Sequence, residues 1–416
     1  MKTTRKNKLI RGDNLEELAV MDEESVDLIY IDPPFFSNRN YEIIWGDEAE
    51  IRSFEDRWEG GIEVYVDWMR QRVTALYRAL KPTGTFYLHC DWHAAHYLKV
   101  MCDGIFGMHN FRNEIAWCYR GAGYPKKDFG RRHDTILRYS KSDEYTFNLD
   151  DVREPYAEAT KERFKHYIGN VRDGVDFGQQ KLHPLGKQPD DWWQIQPIAP
   201  SSNDRTGYPT QKPDPLLEKI VKASSNKGDV VLDAFCGCGT VMIAAQRLGR
   251  RWIGIDISPS AIELVKDRLQ KLGVRDKDID IQGMAKSIED LKTYSPFDFQ
   301  FWVITALHGT PSPKKTGDMG IDGLSFLNQY PIQVKQSEGV GRNVVDNFET
   351  ALRRYYGKTA KEMHGYIVAF SFTKGAHEEV ARAKKDGFKI EPIEAQDILD
   401  GKASILKGEA NLFSEK

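Results

Sequence analysis

A chain of 416 residues is longer than one compact core usually holds, so two domains, or three small ones, are expected. Its 40% hydrophobic and 29% charged residues are those of an ordinary globular protein, and no run of 18 apolar residues is present to span a membrane. A net charge of −3 excludes nucleic-acid binding by overall charge, so a DNA-binding surface would have to be a local basic patch.

The N-terminal stretch MKTTRKNKLIRGDNLEEL is basic but has no apolar core, so it does not read as a signal peptide. A cytoplasmic chain with no membrane partner is expected. Residues 26–31 form a short apolar run stopped by an Asp and two prolines, which reads as a buried strand that ends abruptly. Residues 64–80 carry apolar groups at helical spacing, and Lys81-Pro82-Thr83-Gly84 separates that helix from a strand at 85–89. A helix over 93–106 and a strand over 114–119 follow. This alternation predicts a parallel sheet covered on both faces. Residues 120–210 lose the rhythm, and it returns with a helix at 214–223, a strand at 229–233, a helix at 241–248, a strand at 252–257 and a helix at 260–272. A loop as long as 120–206 inside one domain is normally functional. The first domain is therefore set at 1–275, a polar linker at 276–296, a second α/β domain at 297–395 and a tail at 396–416.

Asp233-Ala-Phe235-Cys-Gly237-Cys-Gly239-Thr240 joins a strand to a helix through a glycine-rich turn, where backbone can approach a ligand and free N–H groups face it. Met242 stands where a dinucleotide fingerprint has its third glycine, and no Gly-Lys-Ser/Thr follows, so neither an NAD site nor a P-loop is indicated. Cys236-x-Cys238 is too close for a zinc half-site, and five cysteines without disulfide spacing fit a reducing compartment. Nineteen residues beyond Gly237, Asp256 and Ile257 end the next strand, and an acid there can accept ribose hydroxyls. A plain tight turn with a capping Asp is the alternative.

Asp32-Pro33-Pro34-Phe35 offers two rigid acceptors, the Asp32 carboxylate and the Pro33 carbonyl, which could draw an aromatic amine's protons away and free its lone pair to attack a methyl sulfonium. Phe35 or Phe36 could stack on the ring. A proline-ended strand with an aromatic plug would use the same residues.

Together, the two motifs resemble the amino-group DNA methyltransferases, and their order, tetrapeptide before glycine-rich loop, is similar to that of the β-group. Gly12-Asp13-Asn14 and Tyr208-Pro209-Thr210-Gln211-Lys212-Pro213 match further elements, with Tyr208 where the pattern usually has His. The resemblance covers about 8–275 and implies a permuted Rossmann-like fold. It also implies S-adenosylmethionine held by Asp13, Thr210, Lys212, Asp233, Phe235, Gly237, Gly239, Thr240, Asp256 and Ile257, and methylation of adenine N6 rather than cytosine N4 in double-stranded DNA. An RNA or small-molecule methyltransferase is the remaining alternative. Residues 112–141 hold eight basic and three acidic groups (8 − 3 = +5) with interleaved aromatics. Arg120, Lys126, Lys127, Arg131 and Arg132 are the expected DNA contacts. Target recognition would fall in about 120–206, around Trp192-Trp193-Gln194. Whether the chain acts alone or as a homodimer stays open.

In the second domain, Asp322 starts one strand and Gln333-x-Lys335 lies eleven residues later on one face of the next. Asp322, Gln333 and Lys335 resemble the site of Mrr-like PD-(D/E)xK nucleases, which implies Mg2+ held by Asp322 and Gln333. A nuclease fold that only binds DNA or a partner, and an ordinary polar hairpin, are the alternatives. Asp298 is a weaker candidate ligand.

Overall fold

A computed structural model describes residues 6–36, 61–121, 125–166, 169–179, 181–199, 202, 211–307, 309–311, 320–325, 329–357 and 362–403. The chain divides into two compact units: one holds the described residues up to 257 and again 268–281, the other holds 258–267 and 282–403.

The first unit runs through β1 (Asn7–Arg11), α1 (Asn14–Ala19), β2 (Val26–Ile31), α2 (Ile62–Ala79), β3 (Leu80–Cys90), α3 (Ala95–Phe106), β4 (Phe111–Cys118) and β5 (His133–Ser140). It continues with α4 (Glu158–Arg163), the hairpin β6 (Gly169–Arg172) and β7 (Val175–Gln179), β8 (Trp192–Gln194), α5 (Asp214–Ser224), β9 (Val230–Asp233), α6 (Thr240–Arg247) and β10 (Arg251–Asp256). Helix α7 (Pro259–Lys271) leads to β11 (Ile279–Gln282). Nine strands make one sheet in the order β11-β1-β10-β9-β2-β3-β5-β4-β8.

Strands β1, β10, β9, β2 and β3 are parallel, as the alternation predicts. The sheet as a whole is mixed, which the sequence expectation of a parallel sheet missed, because β5 runs antiparallel to both β3 and β4. A β4–β5 hairpin needs no crossover helix, so the αβ rhythm stops where the antiparallel edge begins. Lys81-Pro82-Thr83-Gly84 is not a break between elements; β3 starts at Leu80, and the register slips between the Val26 and Leu28 pairings as these residues bulge. Residues 276–296, expected as a linker, contain β11 and helix α8 (Ile288–Lys292), whose Ser287–Asp290 capping box closes its first turn.

Side-chain alternation divides the sheet's two faces. Ile29, Ile31, Phe86, Leu88, Leu232 and Ile255 join Tyr65, Met69, Val73 and Leu76 of α2 in one apolar cluster. Tyr30, Tyr87 and His89 point the other way and are equally buried; the Tyr87 hydroxyl meets Ser224 Oγ of α5 at 2.8 Å.

The second unit continues through α9 (Pro296–Ala306), β12 (Thr310–Pro311), β13 (Gly323–Leu324), β14 (Pro331–Lys335), α10 (Arg342–Tyr356), β15 (Met363–Ala369), α11 (Lys374–Lys385), β16 (Phe388–Glu394) and α12 (Ala395–Leu399). Its sheet follows chain order, β12-β13-β14-β15-β16, antiparallel up to β14 and parallel beyond. Ile332, Val334, Tyr366 and Val368 pack with α9 and α12, while Ile367 packs with α10 and α11. The sheet is therefore covered on both faces.

Among the described residues, no helix is long and apolar enough to cross a membrane. Trp252 of β10 is fully buried and its indole N–H donates to Gln246 Oε1 at 2.9 Å. Trp252→Ala should cost about 3–5 kcal/mol, read as a lower midpoint in chemical denaturation of the full chain.

Candidate functional site

The parallel strands bring their carboxyl ends to one edge, the usual binding edge of an open α/β sheet. Asp32 emerges there from β2, beside Asp233 from β9 and Asp256 from β10.

The Asp32 carboxylate is mostly buried and forms an ion pair through Oδ2 with Lys212 Nζ. Its Oδ1 lies 4.0 Å from Nδ1 of His89, a residue with no exposed surface. The Phe35 ring packs 5.7 Å from the His89 ring and lies 5.5 Å beneath the Lys212 ammonium. The proline turn is tied down from α2, where the Tyr65 hydroxyl donates to the Pro34 carbonyl at 3.0 Å and its ring packs against Phe36.

The glycine-rich turn follows the same logic of local closure. Gly237 and Gly239 sit at φ +46° and +77°, in the left-handed region that a side chain makes costly. The Asp256 carboxylate accepts the Gly237 N–H at 2.8 Å, so this acid shapes the loop as well as facing any ligand in it. The Asp256 carbonyl accepts from Gly12 at 2.9 Å, which attaches the Gly-Asp element to the same edge. Asp233 accepts from Phe235 N at 3.0 Å. Burial first, and then the charges of Asp32 and Asp256, push the Asp233 carboxyl well above the usual carboxylate range. Thr240 opens α6, and Ile257, just past β10, is exposed.

Asp13 caps α1 through Leu15 N and pairs with Arg72 at 3.1 Å. Asn14 donates to the Ala234 carbonyl at 2.8 Å and accepts from Arg72 Nε at 2.8 Å. The Arg72 guanidinium stacks 3.9 Å over Trp68, which in turn meets Phe235 at 5.7 Å. Sequence reasoning missed Tyr65, Trp68, Arg72 and His89, and read Asn14 only as part of the Gly12-Asp13-Asn14 match. An Arg at i+7 from a Tyr on an otherwise apolar helix face was the available signal for the α2 residues.

Lys212, expected at the cofactor, is placed on the Asp32 carboxylate; Tyr208, Pro209 and Thr210 lie outside the described residues. Of the basic stretch, Arg120, Lys126, Lys127 and Arg131 are exposed and Arg132 is half-buried, all on the β4–β5 connection. Arg131 stacks 4.2 Å over Trp92, and Phe129 is 98% exposed. The rest of the patch dissolves. Arg138 is buried against Tyr145 and Phe147, Arg112 is held by Ser140 and Asp143, and Trp117 and Tyr139 belong to the interior. Trp193 is buried on β8, whereas Trp192 is half exposed; Tyr124 lies outside the described residues.

A family model for N6/N4 DNA methylases matches residues 26–267. The chain belongs to the N6/N4 DNA methylase family. This methyltransferase is 31% identical over 263 residues to Type II methyltransferase M.HpaI of Haemophilus parainfluenzae, covering 63% of this chain and 74% of that one. It is 29% identical over 288 residues to the DNA adenine methyltransferase YhdJ of Escherichia coli (strain K12), covering 68% and 87%. Among solved structures, the PvuII DNA methyltransferase (cytosine-N4-specific) superposes with a TM-score of 0.46 at 19% identity, covering 66% of this chain and 90% of that one. A general methyltransferase-domain model also matches residues 225–318.

In the second unit, the Asp322 carboxylate accepts the Val334 N–H at 2.7 Å, and Gln333 Nε2 donates to the Gly320 carbonyl at 2.9 Å. Gln333 Oε1 is buried and has no hydrogen-bond partner among the described residues. Lys335 ends β14, two residues along the same strand. Ser295 caps helix α9, its hydroxyl accepting from Asp298 N and donating to the Asp298 carboxylate, and Gln300 from that helix reaches the Asp322 carbonyl at 3.3 Å.

An acid pushed up by burial destabilises the fold as pH rises above its unfolded value, because the folded state resists ionisation. Asp233→Asn keeps an acceptor for Phe235 N without that charge. Its melting temperature relative to wild type should therefore rise between about pH 5 and pH 8, measured by calorimetry at matched salt.

Proposed function

We propose that this DNA methyltransferase transfers a methyl group from S-adenosylmethionine to N6 of an adenine extruded from double-stranded DNA. The observation that carries the reading is the placement of Asp32 and the Asp233–Thr240 turn at neighbouring ends of β2 and β9. The loop suits the donor. Two glycines in left-handed conformation leave room for backbone approach, α6 presents its N-terminus, and Asp256 stands at the end of β10. The bound donor supplies a methyl group on a positively charged sulfur.

On this chain, Asp32 accepts a hydrogen bond from the adenine amino group, the Pro33 carbonyl takes the second, and the lone pair is left for attack. Phe35 flanks the base, and Lys212 orients the Asp32 carboxylate until the amine arrives. Adenine is favoured over cytosine by the Asp in the tetrapeptide, and the relative named as an adenine methyltransferase agrees. The exposed cations Arg120, Lys126, Lys127 and Arg131 supply phosphate contacts.

Asp32→Ala should abolish methyl transfer to DNA while the donor still binds. Asp256→Ala should instead weaken donor binding by about 1–3 kcal/mol. Labelled-methyl transfer with titration of the donor separates the two, and product digestion that yields N4-methylcytosine instead of N6-methyladenine would overturn the base assignment.

A second reading concerns the C-terminal unit, which we propose is a metal-dependent nuclease-like domain. Its support is the helix–strand–strand–strand–helix–strand order from α9 to β15 and the unpartnered, buried Gln333 Oε1 beside Asp322. One carboxylate and one amide oxygen are hard donors of the kind Mg2+ takes, with water and phosphate completing its shell. Asp322 and Gln333 would hold the ion, which would polarise a water, and Lys335 would face the phosphate. Incubation of unmethylated DNA with Mg2+ should give cleavage that Lys335→Ala abolishes. DNA left intact at high protein concentration favours a unit that only binds DNA or a partner.

A further inference from the structure

His89 is a fully buried histidine on β3 that the two sequence motifs leave unexplained. Each of its ring nitrogens faces a specific group. Nε2 lies 3.4 Å from Asp134 Oδ2 of β5, and Nδ1 lies 2.8 Å from the Tyr30 hydroxyl of β2 and 4.0 Å from Asp32 Oδ1. Asp134 also accepts from the Tyr119 hydroxyl at 3.1 Å, beyond the end of β4. Lys212, ahead of α5, pairs with Asp32 from the remaining side. Phe35 and Trp117 pack on the imidazole at 5.7 and 5.4 Å and keep it dry.

These partners assign the ring's proton. Asp134 is partly buried, which works against its charge, yet hydrogen bonds from His89 and Tyr119 and the charge of Lys212 hold its carboxyl below the usual range. An ionised Asp134 requires a donor, so Nε2 carries the hydrogen. Burial, with Asp32 as the next cause, pushes the Tyr30 phenol well above its ordinary value, so it keeps its proton and donates to Nδ1. With the Tyr30 hydroxyl donating to Nδ1 and Asp134 accepting from Nε2, the ring presents a lone pair on the side of Asp32 and an N–H toward Asp134.

We propose that His89 is a positioning residue for Asp32 and takes from it the proton that the target amine sheds. This rests on the methyl-transfer reading above. As the N6–C bond forms and the S–C bond breaks, the S–C electron pair stays on sulfur and the amino nitrogen holds one proton too many. That proton passes to the Asp32 carboxylate and then to Nδ1 of His89, the Tyr30 hydroxyl turning aside; a small rotation of Asp32 spans the 4.0 Å. The imidazolium so formed is stabilised by Asp134. With its carboxylate 16% exposed, Asp134 passes the Nε2 proton to water, which leaves the ring with its hydrogen on Nδ1 at the end of one transfer. The arrangement follows general acid–base logic, a base oriented by a carboxylate behind it.

The test is single-turnover methylation of unmethylated duplex DNA by the full chain, across about pH 5.5 to 8.5, for wild type, His89→Gln and Asp134→Asn. His89→Gln should slow transfer by about 10²-fold with donor and DNA binding unchanged. Wild-type transfer should slow toward acid, because a proton already on Nδ1 leaves no acceptor for the next, and that slowing should flatten in the variant. Asp134→Asn, which keeps the side-chain shape, should slow transfer by about 10-fold and change the same limb of the profile. A His89→Gln rate within about threefold of wild type, with the pH profile unchanged, overturns the proposal. So does a slowing in both variants that tracks weaker donor binding, since that is what a packing role alone produces. A wild-type chain that transfers no methyl group overturns the methyl-transfer reading itself, whereas an active wild type with an equally active His89→Gln overturns only the relay.

Discussion

The site depends on a very short stretch of parallel pairing. Leu28 faces Val231 and Ile29 faces Leu232, and with the Val230 N–H donating to the Asp27 carboxylate at 2.9 Å they set β2 beside β9. Parallel strands end at the same edge, so the pairing delivers Asp32 and Asp233 together although about 200 residues separate them in the chain. A slip of one residue would turn Ile29 and Ile31 out of the apolar cluster with α2 and put Tyr30 into it. The register is thus enforced by burial on both faces, and the chemistry at the edge inherits that precision. Neither motif need carry the energy of its own placement.

Helix α2 does the remaining alignment. Tyr65, Trp68 and Arg72 lie at i, i+3 and i+7, one stripe of the helix. The first fixes the Pro34 carbonyl, the second packs on Phe235, and the third joins Asp13 and Asn14. One rigid rod therefore touches the tetrapeptide, the glycine-rich turn and the N-terminal Gly-Asp element. Its opposite function is ordinary core packing through Met69, Val73 and Leu76. Arg72 is buried, and a buried guanidinium is tolerated because Asp13, Asn14 and the Trp68 ring satisfy it together.

How much of this the sequence disclosed follows from the range of each interaction. Val26–Ile31 with its two prolines, and the strand, turn and helix around Gly237, are local patterns, and both elements form where their residues say they should. In the second unit the strand that carries Gln333 and Lys335 was legible for the same reason, whereas β16 and α12 were not read, and the tail set at 396–416 begins inside α12. The antiparallel edge was not, because a hairpin whose β5 carries Arg138 among Thr135, Ile136 and Leu137 has no clean alternation; the arginine is buried and paid for by aromatic faces from residues further along. Counting charges over 112–141 failed at Arg112 and Arg138 for that reason, while Arg120 and Lys126 kept the exposure that counting presumes. His89 was hidden for a different reason. Its meaning comes from Asp32 and Asp134, on two other strands, and no spacing within Leu80–Cys90 announces them.

The electrostatics at the edge tie these parts together. Asp32, Asp134, Asp233 and Asp256 emerge from four strands or their ends, and the charges of Asp32 and Asp256 both weigh on Asp233. So many carboxylates at one largely buried sheet edge cannot all be charged without compensation. Asp233 yields by drifting upward, Asp134 is compensated by His89, and Asp32 by Lys212. Such a site favours a ligand that brings positive charge, and under the proposed methyl transfer the carboxylate that meets the amine is already paired with Lys212. Lys212 sits on a segment outside the sheet, just ahead of α5, whereas the backbone at Asp32 leaves a sheet strand and the proline turn after it is held by Tyr65. If one partner must give way when the amine arrives, the geometry makes it the lysine, because four flexible methylenes separate its ammonium from the backbone and no strand register is disturbed by moving it.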